Sequence, residues 1–297
     1  MGVAGKIKSI VKGVSKRLSP SYGKDIAYQV GRFQIVLPYG HMLPVYQKGC
    51  PQYDRFLPHL AKYLPDNSFV VDVGANCADT LAGMIDVNPN LNFLCIEADN
   101  FFYEYLTQNV NAIKAYLPES CIMTVKCLAG SEVTNVIMDG TGGTKKAIES
   151  SSSEDSTIQS ESLDRVIDAE HVRPSDVSLV KVDTDGYDYD VINSADLLLS
   201  SRLPLLFFEC QYDNANQKQK YQQLIKKLFD LGYTKWSVFD NFGALLLRTG
   251  TKSNILDLIE YVWRQNEGKS HRTTYYLDIF AGSGKDEDLM TKALDNY

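Results

Sequence analysis

Five short apolar runs, at residues 68–73, 92–96, 121–127, 177–182 and 204–209, are rich in Val, Ile, Leu and Phe and do not alternate with polar residues. Strands covered on both faces read this way, because neither face meets water. Segments at about 77–87, 100–116, 188–200 and 215–231 fall between or after them and read as helices. Strands alternating with helices predict an α/β fold, a doubly wound and mostly parallel sheet. Upstream, "QVGRFQIVLPYG" predicts two short strands and "YDRFLPHLAKYL" an amphipathic helix interrupted by Pro58. Downstream, "KWSVFD" and "ALLLR" are joined by "NFG" in a hairpin-type connection. A helix at 253–265, a strand "TYYLDIF" and a last helix from 285 complete the chain. The expected organisation is an N-terminal extension, residues 1–66, packed on a core of residues 67–297. The polar stretches 139–146, "DGTGGTKK", and 149–162, "ESSSSEDSTIQSES", are expected as loops, and the first lacks the GxxxxGK[ST] spacing of a phosphate cradle.

Composition narrows the class. A chain of 297 residues with 44% hydrophobic content can bury a sizeable core without staples. The six cysteines show no CxxC spacing and are expected as reduced residues, four of them in or beside strand-like runs. No apolar stretch approaches the roughly 18–20 residues of a membrane span, and no signal peptide is recognisable, so a cytoplasmic protein is expected. The formal net charge of −7 speaks against a nucleic-acid partner, which needs clustered Lys and Arg. Residues 1–24 nevertheless hold Lys6, Lys8, Lys12, Lys16, Arg17 and Lys24 with no acid. Ile7, Ile10, Val11, Val14 and Leu18 recur there at helical spacing. Two readings stay open for residues 1–19: a helix packed on the domain, or a peripheral contact with an anionic membrane surface.

Candidate chemistry begins at "FVVDVGANCADT", residues 69–80, where a buried strand gives way to a glycine turn and a helix. Open α/β sheets bind ligands at such strand ends. Gly74 allows close backbone approach, and the carboxylate of Asp72, inside a buried strand, needs donors that the amides of residues 74–77 could supply. The next strand ends in Glu97, 25 positions after Asp72, where an acid can accept both hydroxyls of a ribose. Asp99 or Asn100 is the better cap for the helix that follows. Without a GxGxxG loop, since positions 76 and 78 are Asn and Ala, a dinucleotide pyrophosphate is poorly served and a mononucleoside fits better. A nicotinamide dehydrogenase is correspondingly disfavoured.

"VVDVGANCADT", "CIEADNFFYEYLTQN", "SLVKVDTDGYDYDVI" and "PLLFFECQ", in this order, resemble the FkbM-type S-adenosylmethionine-dependent methyltransferases over roughly residues 36–250. The resemblance implies a Rossmann-like, class I methyltransferase sheet and methylation of hydroxyl groups on sugars or secondary metabolites, with surface-polysaccharide assembly as one setting. It implies that Asp72, Gly74, Ala75 and Asn76 surround the methionine end of S-adenosylmethionine, that Glu97 and Ala98 hold the ribose, and that Leu128 and Ala129 flank the adenine. Asp183 would face the sulfonium and the acceptor. The family usually has glycine where this chain has Ala78, which predicts a slightly bulkier loop.

Methyl transfer is an in-line displacement, so alignment and exclusion of water dominate. A sugar hydroxyl is a poor nucleophile and needs a base or a metal ion. "DTDGYDYD" supplies Asp183, Asp185, Asp188 and Asp190, and Glu209 closes the fifth strand-like run. Asp183, Asp185 and Glu209 are expected to converge above the sheet, either as a carboxylate base or around Mg or Mn. An EF-hand is excluded, because its sixth position would be Asp188 and its twelfth Ser194. Asp188 and Asp190 are also explained as first-turn residues of a helix. His41 and His271 are alternative bases. Aromatic residues Phe33, Tyr39, Tyr46 and Tyr53 are compatible with a stacked sugar acceptor. A non-catalytic nucleoside- or sugar-binding module is the alternative class.

Overall fold

The computed structural model describes residues 23–131, 135–139, 146–149, 158–269 and 273–297. The basic segment 1–19 and His271 lie outside the described residues. An antiparallel hairpin comes first, β1 (Ile26–Val30) and β2 (Phe33–Leu37). The main sheet opens with β3 (Phe69–Val73), β4 (Asn92–Glu97) and β5 (Ile122–Lys126), all parallel. A small sheet follows, built from β6 (Leu128–Ala129), β7 (Asn135–Asp139), β8 (Lys146–Glu149) and β9 (Ile158–Glu161). The stretches expected as loops thus contribute strands at 146–149 and 158–161. Here pairing with a neighbour, not the polar composition, decides the backbone.

The main sheet is completed by β10 (Val177–Val182), β11 (Leu205–Gln211), β12 (Tyr233–Asp240), β13 (Leu245–Gly250) and β14 (Tyr276–Ser283). Its order is β13-β12-β14-β11-β10-β3-β4-β5. Strand β14 runs antiparallel to both β11 and β12, between which it is inserted. The order reverses between β3 and β10, so a crevice opens above their carboxyl ends.

Each sheet face carries its own core. Val71, Val180, Phe208 and Ile279 pack with the helices 163–169, 188–193, 215–231 and 252–266. On the opposite face Val70, Leu179, Phe239 and Phe280 pack with Ile35, Leu37, Phe56, Leu60, Leu81 and Met84. The elements from the N-terminal region therefore cover one face of the sheet. The apolar alternation leaves Asp72, Lys181, Glu209 and Asp278 on that same covered face, since their strand neighbours point the other way. Four charged side chains on an otherwise apolar surface call for partners or a cavity.

The helix expected over 188–200 is two helices, Asp188–Asn193 and Asp196–Arg202. The Ser194 hydroxyl donates to the Val191 carbonyl and accepts from the Leu163 N–H, while Asp164 caps the second helix by accepting from Leu197 and Leu198. Side chains that satisfy helix-end groups in this way make a break inexpensive. All six cysteines are free, and Cys121, expected in the core, is exposed.

Candidate active site

The turn after β3 is shaped by neighbouring backbone. Gly74 has φ +77, and a Cβ there would lie 1.9 Å from the Asp183 carbonyl oxygen. The close approach that demands glycine is thus to the end of β10, where a ligand had been expected. Asn76 (φ 46) and Ala78 (φ 66) also adopt left-handed backbone. The second explains why glycine suits position 78: the constraint is conformational, about 1–2 kcal/mol for a residue with a Cβ, and not bulk alone.

Asp72 does not draw on the loop amides. Among the described residues no backbone N–H donates to its carboxylate. Its partner is Lys181, in register with it on β10, whose Nζ lies 2.9 Å away with both side chains almost fully buried. The same ammonium donates to the Gly74 carbonyl at 2.8 Å and lies 3.6 Å from Asp183 Oδ2. Burial alone would lower the lysine pKa, but Asp72 and then Asp183 outweigh it and raise it above the ordinary value. Lys181 thereby ties β3, the glycine turn and Asp183 into one unit. The sequence signal for it was a lone lysine inside an apolar strand.

Two adjoining cavities open above the strand ends. The narrow one, about 50 Å³, is lined by Gly74, Asn76, Glu97, Ala98, Leu128 and Ala129, with Tyr187 opposite. With Asp183, which also lines it, seven of the residues expected around a cofactor are brought together, whereas Asp72 and Ala75 line neither cavity. Glu97 accepts the Asn76 N–H with one oxygen and the Asp99 N–H with the other, both at 2.9 Å. Each oxygen keeps a lone pair for a further donor. Burial raises the Glu97 pKa against the lowering pull of these two donors. Asp99, as expected, caps the helix 100–116 by accepting from Phe101 and Phe102.

The wide cavity, about 380 Å³, lies between the covered sheet face and the segment 46–57. Asp183 and Asp185 line both cavities. Asp183 is half exposed, and Glu209 is almost buried. Glu209 is not at a strand end: β11 continues through Gln211, so its side chain projects from the sheet face into the cavity wall. Tyr46 and Tyr53 line this cavity with Tyr275 and Tyr276, whereas Phe33 packs edge-on against Tyr116. Asp278 and Gln211, which no motif had singled out, also line it. An acid inside the apolar run "TYYLDIF" was the available clue.

The remaining candidates have structural partners. Asp188 accepts from the Thr184 N–H and hydroxyl and from the Glu209 N–H, which pins the loop after β10 to β11. Asp190 accepts from the Ser131 N–H and also pairs with its hydroxyl. His41 meets Asn76 Oδ1 at 3.3 Å and lines neither cavity. Among the described residues no group of three acidic, histidine or cysteine side chains is placed to hold a metal ion. The Mg or Mn site expected from Asp183, Asp185 and Glu209 is therefore not assembled, since Asp183 turns to Lys181 and Glu209 lies in the sheet face.

This fold, with an antiparallel strand inserted near one edge and a crevice at the strand-order reversal, is that of the Rossmann-like class I methyltransferases. The family model for the methyltransferase FkbM domain matches residues 67–235, more than half of the chain. The protein belongs to the FkbM family of S-adenosylmethionine-dependent methyltransferases. Among solved structures, methyltransferase FkbM from Methylobacillus flagellatus KT is 17% identical, with 72% of this chain aligned to 44% of that one at a TM-score of 0.38. This chain thus spans less than half of that protein's length. An O-methyltransferase from Bacillus cereus in complex with SAH is 9% identical, with 95% and 90% of the two chains covered and a TM-score of 0.46. Aeropyrum pernix fibrillarin with natively bound S-adenosyl-L-methionine is 12% identical, covering 77% and 76%, at a TM-score of 0.41. No curated protein matches the sequence. Among the described residues no helix is long and apolar enough to cross a membrane.

Proposed function

We propose that the protein is an S-adenosylmethionine-dependent O-methyltransferase that methylates a hydroxyl of a sugar in a surface glycan or of a secondary metabolite. The observation that carries this reading is the position of Asp183, which lines the narrow and the wide cavity at once and is held there by Lys181. Bound S-adenosylmethionine supplies a methyl group on a positively charged sulfur. Glu97 would accept the ribose hydroxyls through its free lone pairs, and Leu128 and Ala129 would flank the adenine. Asp183 would accept the acceptor hydroxyl's proton as the new C–O bond forms and the S–C bond breaks. The rings of Tyr46, Tyr53, Tyr275 and Tyr276 offer apolar faces for sugar C–H groups, and the hydroxyls of Tyr53 and Tyr276 are hydrogen-bonded to each other.

The test is turnover of S-adenosylmethionine against a panel of glycan acceptors, with products identified by mass spectrometry. Asp183→Asn should lower kcat by about 10²–10⁴-fold, the usual contribution of a positioned base, and leave the affinity for S-adenosylhomocysteine nearly unchanged. Cofactor binding with no turnover on any acceptor would favour a nucleoside-binding module instead.

A further inference from the structure

Glu209 on β11 and Asp278 on β14 are paired in register across antiparallel strands and line the same cavity. Like charges directly opposite one another destabilise a sheet. Among the described residues no basic side chain is paired with either of them, and Glu209 Oε2 has no hydrogen-bond partner. Beside it, Gln211 Nε2 is also unpartnered, and the two side chains are only 6% and 7% exposed. Asp54 adds a further carboxylate to the lining. Lys181 is the single cation lining the cavity among the described residues, and its ammonium is already engaged by Asp72, Asp183 and the Gly74 carbonyl.

We propose that the acceptor bears a protonated amine beside its hydroxyls, seated between Glu209 and Asp278, which makes an amino sugar the ligand class of this cavity. This rests on the methyltransferase reading above and names the substrate of the same site. A protonated amine donates to Glu209 Oε2 and neutralises the opposed carboxylates, while Gln211 Nε2 donates to a neighbouring hydroxyl. Tyr53 and Tyr276 border the same space and favour a cation over their ring faces. Burial and then the field of Asp183 raise the pKa of both Glu209 and Asp278, and a bound cation reverses the second cause. A phosphorylated or nucleotide-activated sugar would add negative charge to a negative wall. Methylation is therefore assigned to a stage at which the sugar carries no phosphate in this cavity.

The experiment uses the full-length protein loaded with S-adenosylhomocysteine and titrates it calorimetrically at low salt and about pH 6. The probes are a glucosamine trisaccharide, its fully N-acetylated counterpart and glucose 6-phosphate. The amine form should bind at least about tenfold more tightly than the acetylated form, and the phosphate should not bind. The preference should vanish in the Glu209→Gln, Asp278→Asn double variant, which removes the charges and keeps the side-chain shapes. Equal binding of amine and amide, binding of neither, or a preference that survives in the double variant would overturn the assignment. The S-adenosylhomocysteine titration separates the two levels. Normal cofactor binding without amine preference counts against the amino sugar alone, whereas failure of cofactor binding removes the methyltransferase reading and this inference with it.

Discussion

Lys181 and Asp72 form an ion pair, 2.9 Å apart, with 4% and 1% of their side chains exposed, beside the glycine turn whose Gly74 carbonyl accepts from the same ammonium. A buried pair of this kind adds little net stability over an apolar pair but becomes costly once one partner is lost. It is also the anchor of Asp183.

Lys181→Met should therefore destabilise the protein by about 3–5 kcal/mol, because Asp72 is left charged and buried. Adding Asp72→Leu should recover a large part of the loss. Urea denaturation of the three variants checks this, and a double variant no more stable than the single one would show that the pair is not the source of the cost.

Gly74→Ala forces a Cβ against the Asp183 carbonyl at a positive φ. The strain and the overlap together should cost at least about 2 kcal/mol. Since the turn also lines the narrow cavity, affinity for S-adenosylhomocysteine should fall with it. Thermal denaturation and calorimetry on the same sample would reveal the opposite outcome, an alanine variant with wild-type melting and binding.

Glu97→Gln keeps the shape but presents an amide nitrogen to one of two N–H donors, those of Asn76 and Asp99. Losing charge-assisted acceptors costs about 1.5–3 kcal/mol each. Affinity for S-adenosylmethionine should accordingly drop by about tenfold or more, with turnover at saturating cofactor less affected. An unchanged dissociation constant would remove Glu97 from the ribose site.

Glu209, Asp278 and Asp188 all have folded-state pKa values above those of free carboxylates, burial being the first cause, and Asp188 is pushed up to about 8. The folded chain thus binds more protons than the unfolded chain above the ordinary carboxylate range, so these groups make stability fall as pH rises toward about 8. Glu209→Gln removes one of them and should make that fall shallower. Denaturation midpoints measured between about pH 5 and 8 test the sign, and a steeper fall in the variant would contradict it.

Sequence alone determined the period of the main parallel strands and the long helices and therefore the layered α/β class, because burial on both faces leaves a local mark in the chain. It also marked Asp72 and Glu97 as acids within the apolar runs of β3 and β4, and Gly74 as a position of close backbone approach. What it could not supply were partners brought together from far along the chain. Gly74 reads the same whether it faces a ligand or the end of β10, and Asp72 the same whether amides or Lys181 answer its charge. The insertion of β14 between β11 and β12 was likewise invisible, since strand order is set by packing of whole elements and not by any residue within one. That insertion alone sets Asp278 opposite Glu209. Register across a ladder is a long-range contact, and the charge of the wide cavity follows from it.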